Sequence, residues 1–411
     1  MREKLELMIS TIEYDHYRQQ RQPKLSVIKV PNTKKLLIIL YRDFPWYSGL
    51  SDRVLGIARQ FIKHGLGVKI IAPIIYGHEK IDLDIEHIRL KRTRIKIKLN
   101  KIFSFISWIY FQFRCFIKIL KIRREIAFIQ FEHYYTFFLA YIVKILFRIP
   151  IIADDINLIH IRPLPPLLRK IFYLVERSIL LKSTLVVTAS PITYAFTKRL
   201  FPSTKILYLP NAISYVPIQS DIAKERWLIF IGNLGFEQNI KAVEYIFGII
   251  EKLAEIRQDF RVLIIGSPLE NVKEFLGHPL VKRGIIKFLG SVPNRVLNQI
   301  LNRAIIALLP FFKLPRWGGQ MMKTLRLMSH GICIVASPEA IKWIKGAKPY
   351  IHYVPINNID ECIEVLNRLL DRNEIALNIG WNARKLVIAN HTWERVCADY
   401  IRVISTIISK P

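Results

Sequence analysis

The sequence predicts an α/β protein built from two doubly wound, Rossmann-like domains that face one another across a cleft. Three observations carry that expectation. Isoleucine- and leucine-rich runs such as LLIIL at 36–40 and VLIIG at 262–266 lack the alternation of a one-sided sheet and suit parallel strands buried on both faces. These runs alternate with amphipathic helical stretches, as βαβ units require. The pattern also stops and starts again near the middle of the chain, and 411 residues suffice for two domains of ordinary size.

In chain order, residues 1–34 read as a polar N-terminal extension, and no chemistry is assigned to it. It lacks the apolar core of a signal peptide, which implies a cytoplasmic chain. The first domain spans 35–215. KLLIILY (35–41) is its first strand, and the stretch from Phe44 continues through a loop with Gly49, an amphipathic helix and a second strand. AFIQFEHYYT and IPIIADDINLIH follow as two further strands, whose ends carry His133, Asp154 and Asp155. In doubly wound sheets ligands bind beyond the carboxyl ends of strands, so these three are candidates for the acceptor side. They are also ordinary helix caps and turn formers.

Pro217 to Glu225 reads as the interdomain linker. The second domain, 216–390, opens with strand, glycine-containing loop and helix in RWLIFIGNLGFEQNIKAVEYIFGIIEKL, with Gly232 and Asn233 at the turn. RVLIIGSP, IKFLGSV and AIIALLPF are further strands. The C-terminal segment, 391–411, is a helix expected to pack back toward the first domain.

The most informative stretch is Pro310–Ser337. Gly318 and Gly319 lack a Cβ and let backbone approach a ligand, and a helix from about Gln320 to His330, closed by Gly331, would point unpaired N–H groups into that loop. Lys323 and Arg326 stand near its positive end, where the dipole alone would repel them. An anion would remove the conflict, whereas a solvated basic face is the plainer structural reading.

The net charge of +30 calls for an anionic partner. Twelve Lys or Arg and no Asp or Glu lie between Arg89 and Arg124, interleaved with IFSFISWIYFQF. That mixture suits an anionic membrane surface, and the apolar part is too short to span one. No recognition helix, zinc spacing or ribonucleoprotein motif points to nucleic acid. Cys115, Cys333, Cys362 and Cys397 show no CxxC or His-paired spacing, so neither a metal site nor a disulfide frame is indicated, and no cofactor is expected.

WGGQMMKTLRLMSHGICIVAS (317–337), LPNAIS (209–214), FIGNLGFEQNIKAVEYI (230–246) and NHTWERVCADYIRVI (390–404) together resemble the GT-B glycosyltransferases of the group 1, family 4-like, retaining type. The resemblance covers about 35–407. It implies a nucleotide-diphosphate sugar on the second domain, with Gly232 and Asn233 lining the phosphate loop and Lys323 on the diphosphate. Gly318 and Gly319 would place backbone amides near the sugar, Gln320 would join the donor contacts, and Gly49 would reach the phosphates from the other domain. It further implies a metal-independent hexosyltransferase-type reaction with retention, onto a lipid-linked or cell-envelope glycan at the inner face of the cell membrane. Lys323, Arg326 and His133 are the catalytic candidates.

Two departures stand out. Arg326 occupies the place of a Glu that accepts hydrogen bonds from the ribose, and arginine has no acceptor. Ile156 replaces a His on the donor sugar, for which His133 or His160 could substitute. Glu339 is a candidate for the lost ribose contact. The departures also admit a non-catalytic GT-B protein that binds a sugar nucleotide or serves as a scaffold.

Overall fold

The computed structural model describes residues 34–41, 44, 49–74, 83–89, 97–132, 134–154, 165–215, 223–312 and 321–408. The chain divides into two compact units, one running to Pro210 and resuming at Val396, the other Asn211–Arg395. The sequence expectation drew this boundary at 215.

The first unit holds a seven-stranded parallel sheet. Its elements in order are β1 (Lys35–Ile39), α1 (Gly49–Lys63), β2 (Gly67–Ile74), β3 (Asp84–Arg89), α2 (Ile97–Ile122), β4 (Ile126–Glu132), α3 (Phe137–Phe147), β5 (Ile151–Asp154), α4 (Pro166–Lys182), β6 (Leu185–Thr188), α5 (Pro191–Leu200) and β7 (Ile206–Tyr208). The strand order β3-β2-β1-β4-β5-β6-β7 reverses direction between β1 and β4. Leu36 to Ile39 are wholly or almost wholly buried, as expected for a central strand covered on both faces.

The second unit holds a six-stranded parallel sheet, order β10-β9-β8-β11-β12-β13. It contains β8 (Glu225–Ile231), α6 (Glu237–Ile256), β9 (Arg261–Ile265), β10 (Ile286–Gly290), α7 (Asn294–Arg303), β11 (Ala304–Leu309), α8 (Met322–Ser329), β12 (Cys333–Ala336), β13 (Val354–Pro355), α9 (Ile359–Asp371) and α10 (Asn373–Asn390). Here the reversal falls between β8 and β11, the central strands of one continuous core.

The last helix, α11 (Trp393–Ile408), begins in the second unit and from Val396 onward belongs to the first. Tyr400 on it is fully buried, donates to Gln130 Oε1 at 2.8 Å and meets Phe61 of α1 edge-on at 5.3 Å. An aromatic ring with a satisfied hydroxyl thus fixes the C-terminal helix to the first sheet.

Several features were not legible beforehand. β3, β7 and β13 are edge strands with weak apolar signals. The basic segment 89–124 resolves, in its described part, into the end of β3 and the 26-residue helix α2. Among the described residues no helix is long and apolar enough to cross a membrane, and no three His, Cys, Asp or Glu residues group as metal ligands. All four cysteines are free and buried.

Candidate active site

The carboxyl end of β8 is where the second sheet reverses direction, and the chain there turns sharply into α6. Gly232 donates to Ile265 O at 3.0 Å and Leu234 to Ser267 O at 2.9 Å, so this turn is laid against the end of β9. Close approach at this crossing requires Gly266, whose φ is +155° and whose added Cβ would fall 1.8 Å from Gly232 O. The turn is braced internally by the Asn233 side chain, whose Oδ1 accepts from Gly235 N at 2.8 Å.

Lys323, in the first turn of α8, reaches into this turn. Its Nζ donates to Asn239 Oδ1 at 2.6 Å and lies 5.0 Å from the centroid of Phe230 and 4.8 Å from that of Phe311. At Gly232 the crowding is milder: an added Cβ would stand 3.0 Å from both Lys323 Nζ and Asn239 Cγ, so these two side chains would have to give by a few tenths of an ångström. Asn239 is buried, and its Nδ2 donates to Asn233 O at 2.6 Å, which orients the amide so that its oxygen faces the lysine. Among the described residues no carboxylate pairs with Lys323. Burial without a counter-charge pulls its ammonium down to about 7. Two ring faces and one amide oxygen stabilise the cation only in part.

Arg326 lies one turn along α8 but faces other partners. Its Nη2 donates to Asn294 Oδ1 at 2.9 Å and to Asn298 Oδ1 at 3.0 Å, both on α7. The expectation that Lys323 and Arg326 share one ligand-facing row therefore meets a different geometry, with the arginine stitched to the neighbouring helix. Helix α8 itself begins at Met322, later than the sequence expectation of Gln320, and closes at Gly331, whose φ is +65°.

Glu339 is half-buried in the helical turn Pro338–Ile341 after β12. Thr324 Oγ1 donates to Ala340 O at 3.2 Å, so the residues next to Lys323 and Glu339 are directly joined. Gly318, Gly319, Gln320, His133, Asp155, Ile156 and His160 lie outside the described residues.

In the first unit, Gly49 is exposed at the start of α1. Asp154 is buried and engaged from within: Arg53 Nη2 donates to its Oδ1 at 2.7 Å, and Arg53 Nε at 3.3 Å and Gln130 Nε2 at 2.9 Å donate to Oδ2. Arg53 Nη1 also donates to Leu209 O at 3.0 Å. Arg53 thus ties α1 to β5 through Asp154 and to the turn after β7 through Leu209. The sequence reading placed it on the acceptor side and missed Arg53 as its partner, since the two lie 101 positions apart.

The principal site residue absent from the sequence expectation is Asn239. Its signal was present in the spacing of GNLGFEQN, with the asparagine seven positions after the glycine and therefore on the first turn of α6. Phe230 and Phe311 read only as core residues.

These features define a class: a GT-B protein, with a glycine turn at the switch point of its second sheet and a cation held against it. The fold is similar over nearly its whole length to that of solved glycosyltransferases. Sucrose-phosphate synthase from Thermosynechococcus elongatus superposes with a TM-score of 0.71 at 14% identity, over 92% of this chain and 100% of that one. HepE of Anabaena in complex with UDP and glucose gives 0.64 at 12% identity, over 91% and 100%. The catalytic domain of starch synthase IV from Arabidopsis thaliana, bound to ADP and acarbose, gives 0.66 at 13% identity, over 92% and 100%. Residues 225–372 match the family model described as Glycosyl transferases group 1, and this part of the chain is a domain of that family. Among curated protein sequences none matches the chain.

Proposed function

We propose that the protein transfers a sugar from a nucleotide-diphosphate donor to an acceptor hydroxyl, with retention and without a divalent metal. One observation carries the reading: Lys323 is a buried cation beside a glycine turn, with an amide and two aromatic faces for company and no carboxylate among the described residues. A diphosphate in the Gly232–Asn233 turn would supply the missing charge. As the bond between the sugar's anomeric carbon and the diphosphate breaks, negative charge grows on the leaving oxygen, where a preorganised ammonium is most effective. Gly49, Gly318, Gly319, Gln320 and Glu339 complete the proposed donor contacts, with His133 and Asp155 toward the acceptor. HepE and starch synthase IV, solved with UDP and ADP, support a nucleotide as a ligand of this fold.

The acceptor in this reading is a lipid-linked or cell-envelope glycan met at the inner face of the membrane, a setting suggested by the cations of segment 89–124. The test is a thermal-shift screen against UDP, GDP, ADP, dTDP and their common sugars, on wild type and Lys323→Ala. Selective stabilisation by one nucleotide, lost in the variant, is expected. Donor turnover unaffected by EDTA checks the metal-independent part, and product stereochemistry by NMR checks retention.

A second reading, a non-catalytic sugar-nucleotide-binding or scaffolding subunit, draws on Arg326. Its guanidinium is engaged by Asn294 and Asn298 and offers no acceptor to a ribose. Nucleotide binding with no donor hydrolysis or transfer would favour it.

A further inference from the structure

The first unit covers the two faces of its sheet very differently. Helix α1 connects β1 to β2, moving along the sheet in one direction, while α2, α3 and α4 connect β3 to β4, β4 to β5 and β5 to β6, moving in the other. Because parallel crossovers are right-handed, the three helices lie together on the face opposite α1. Direct contacts join them. Trp108 Nε1 and Gln112 Nε2 of α2 donate to Tyr135 O, before α3, at 2.8 and 2.6 Å, and Lys144 Nζ of α3 donates to Lys182 O at the end of α4 at 2.6 Å.

The outer side of this layer is apolar to an unusual degree. Apart from Lys144, helix α3, FFLAYIVKILF, is hydrophobic on every side, a pattern normally found in an enclosed helix. Its inner side is enclosed by Phe137, Ala140 and Val143, but Phe138, Ile145 and Leu146 are 53%, 62% and 56% exposed. Helix α4 presents Leu167 at 71% and Leu174 at 52%, and α2 presents Phe105 and Phe113 at 58% and 60%. By contrast the exposed apolar residues of the second unit, such as Ile256, Val296 and Trp381, stand on separate helices. Exposed apolar surface of this extent marks an interaction site.

Its charges are of one sign. Arg114 and Lys121 on α2, and Arg169, Lys170, Arg177 and Lys182 on α4, are exposed among the apolar residues. The three helices contain a single acidic residue, Glu176, which is buried and accepts from Tyr134 Oη at 2.7 Å. Nucleic acid would satisfy the cations and leave the isoleucines and leucines in water. A second copy would set this cationic face against itself, because an isologous interface joins like to like. A helix crossing the bilayer is excluded among the described residues.

We propose that the outer face of α2, α3 and α4 is a membrane-docking surface, its apolar side chains seated in the upper acyl region of an anionic bilayer and its lysines and arginines at the lipid phosphates. It deepens the membrane-surface part of the function proposed above, resting on that part and not on sugar transfer, and extends it from segment 89–124 to a face of three helices.

The test uses the full chain. Because the four native cysteines are buried, Ile145→Cys can be labelled selectively with an environment-sensitive fluorophore, with Ile256→Cys on α6 of the second unit as the control. Vesicles of phosphatidylcholine alone and of phosphatidylcholine with 30% phosphatidylglycerol, roughly a natural anionic fraction, are compared. A blue shift at Ile145 but not at Ile256, and partitioning more than about tenfold stronger on the anionic vesicles, are expected. Ile145→Ser with Leu146→Ser and Leu167→Ser should weaken partitioning by more than about tenfold, as should Arg169→Glu with Lys170→Glu and Arg177→Glu, without changing the melting temperature.

No partitioning of wild type, equal shifts at both probes, or wild-type binding by both variants would overturn the proposal. A dimer in sedimentation that the serine variant dissociates, with no vesicle binding, would assign the face to a second copy instead. The nucleotide thermal shift keeps the two proposals separable. A shift without vesicle binding removes docking alone, and vesicle binding without a shift removes the transfer reading alone.

Discussion

Each unit buries a cation near the carboxyl edge of its sheet, and the two are treated in opposite ways. Arg53 meets a carboxylate: both oxygens of Asp154 accept from it, and Leu209 O takes a third hydrogen bond. Among the described residues Lys323 meets only neutral groups, one amide oxygen and two ring faces. A buried ion pair held by several hydrogen bonds is a structural tie, because removing either member strands the other's charge. A buried ammonium without a counter-ion is a standing electrostatic deficit, and an anion that enters relieves it. The contrast separates a residue that holds the first unit together from the one proposed above to meet the diphosphate.

The largest effect expected is on the structural tie. Asp154→Ala leaves Arg53 charged, buried and without its carboxylate, and should destabilise the first unit by about 3–5 kcal/mol, read by urea unfolding. Lys323→Ala should do the reverse: the stability of the free protein is kept or raised, while kcat for sugar transfer falls by about 10²–10³, the loss seen when a preorganised charge-stabilising group is removed.

pH sharpens the same contrast. The folded pKa of Lys323, about 7, lies below the ordinary lysine value of 10.5, so between these pH values the folded state binds fewer protons than the unfolded state. Wild-type stability relative to Lys323→Met should therefore rise with pH across that window. Diphosphate affinity, which needs the protonated amine, should fall as pH passes about 7, by up to about tenfold per unit, and the fall should be absent in the variant. Calorimetry from pH 6 to 9, about the range that brackets this titration, checks both signs.

Asn239→Asp would convert the second arrangement into the first. The new carboxylate pairs with Lys323 and raises its pKa, so melting temperature should rise, diphosphate affinity should drop by about tenfold or more, and the pH dependence should move upward. An unchanged affinity would show that Lys323 does not face the ligand. The smallest effect belongs to Arg326→Ala, which loses two hydrogen bonds to neutral asparagines and should cost about 1–2 kcal/mol in unfolding experiments, with a change in nucleotide affinity below that of Lys323→Ala.

The sequence by itself determined the two-domain α/β plan, because a strand buried on both faces must be apolar throughout and a helix on a sheet must be amphipathic. Both leave a periodicity that needs no partner to be read. It also located the Gly232 turn and Lys323, since close backbone approach restricts residue type and the signal stays local. Edge strands such as β13, two residues long, carry too little of that signal to be found in advance. Only the tertiary structure decided what each charged side chain faces. Arg53 and Asp154 lie 101 positions apart, and Lys323 and Asn239 84 apart. Charge interactions act through space, and a cation reads the same in sequence whether it closes an ion pair, stitches two helices as Arg326 does, or stands beside a turn with neutral partners alone among the described residues, as Lys323 does. The exposed apolar layer of the first unit follows the same rule: each helix shows its own cations and apolar residues, but crossover handedness places α2, α3 and α4 on one side of the sheet.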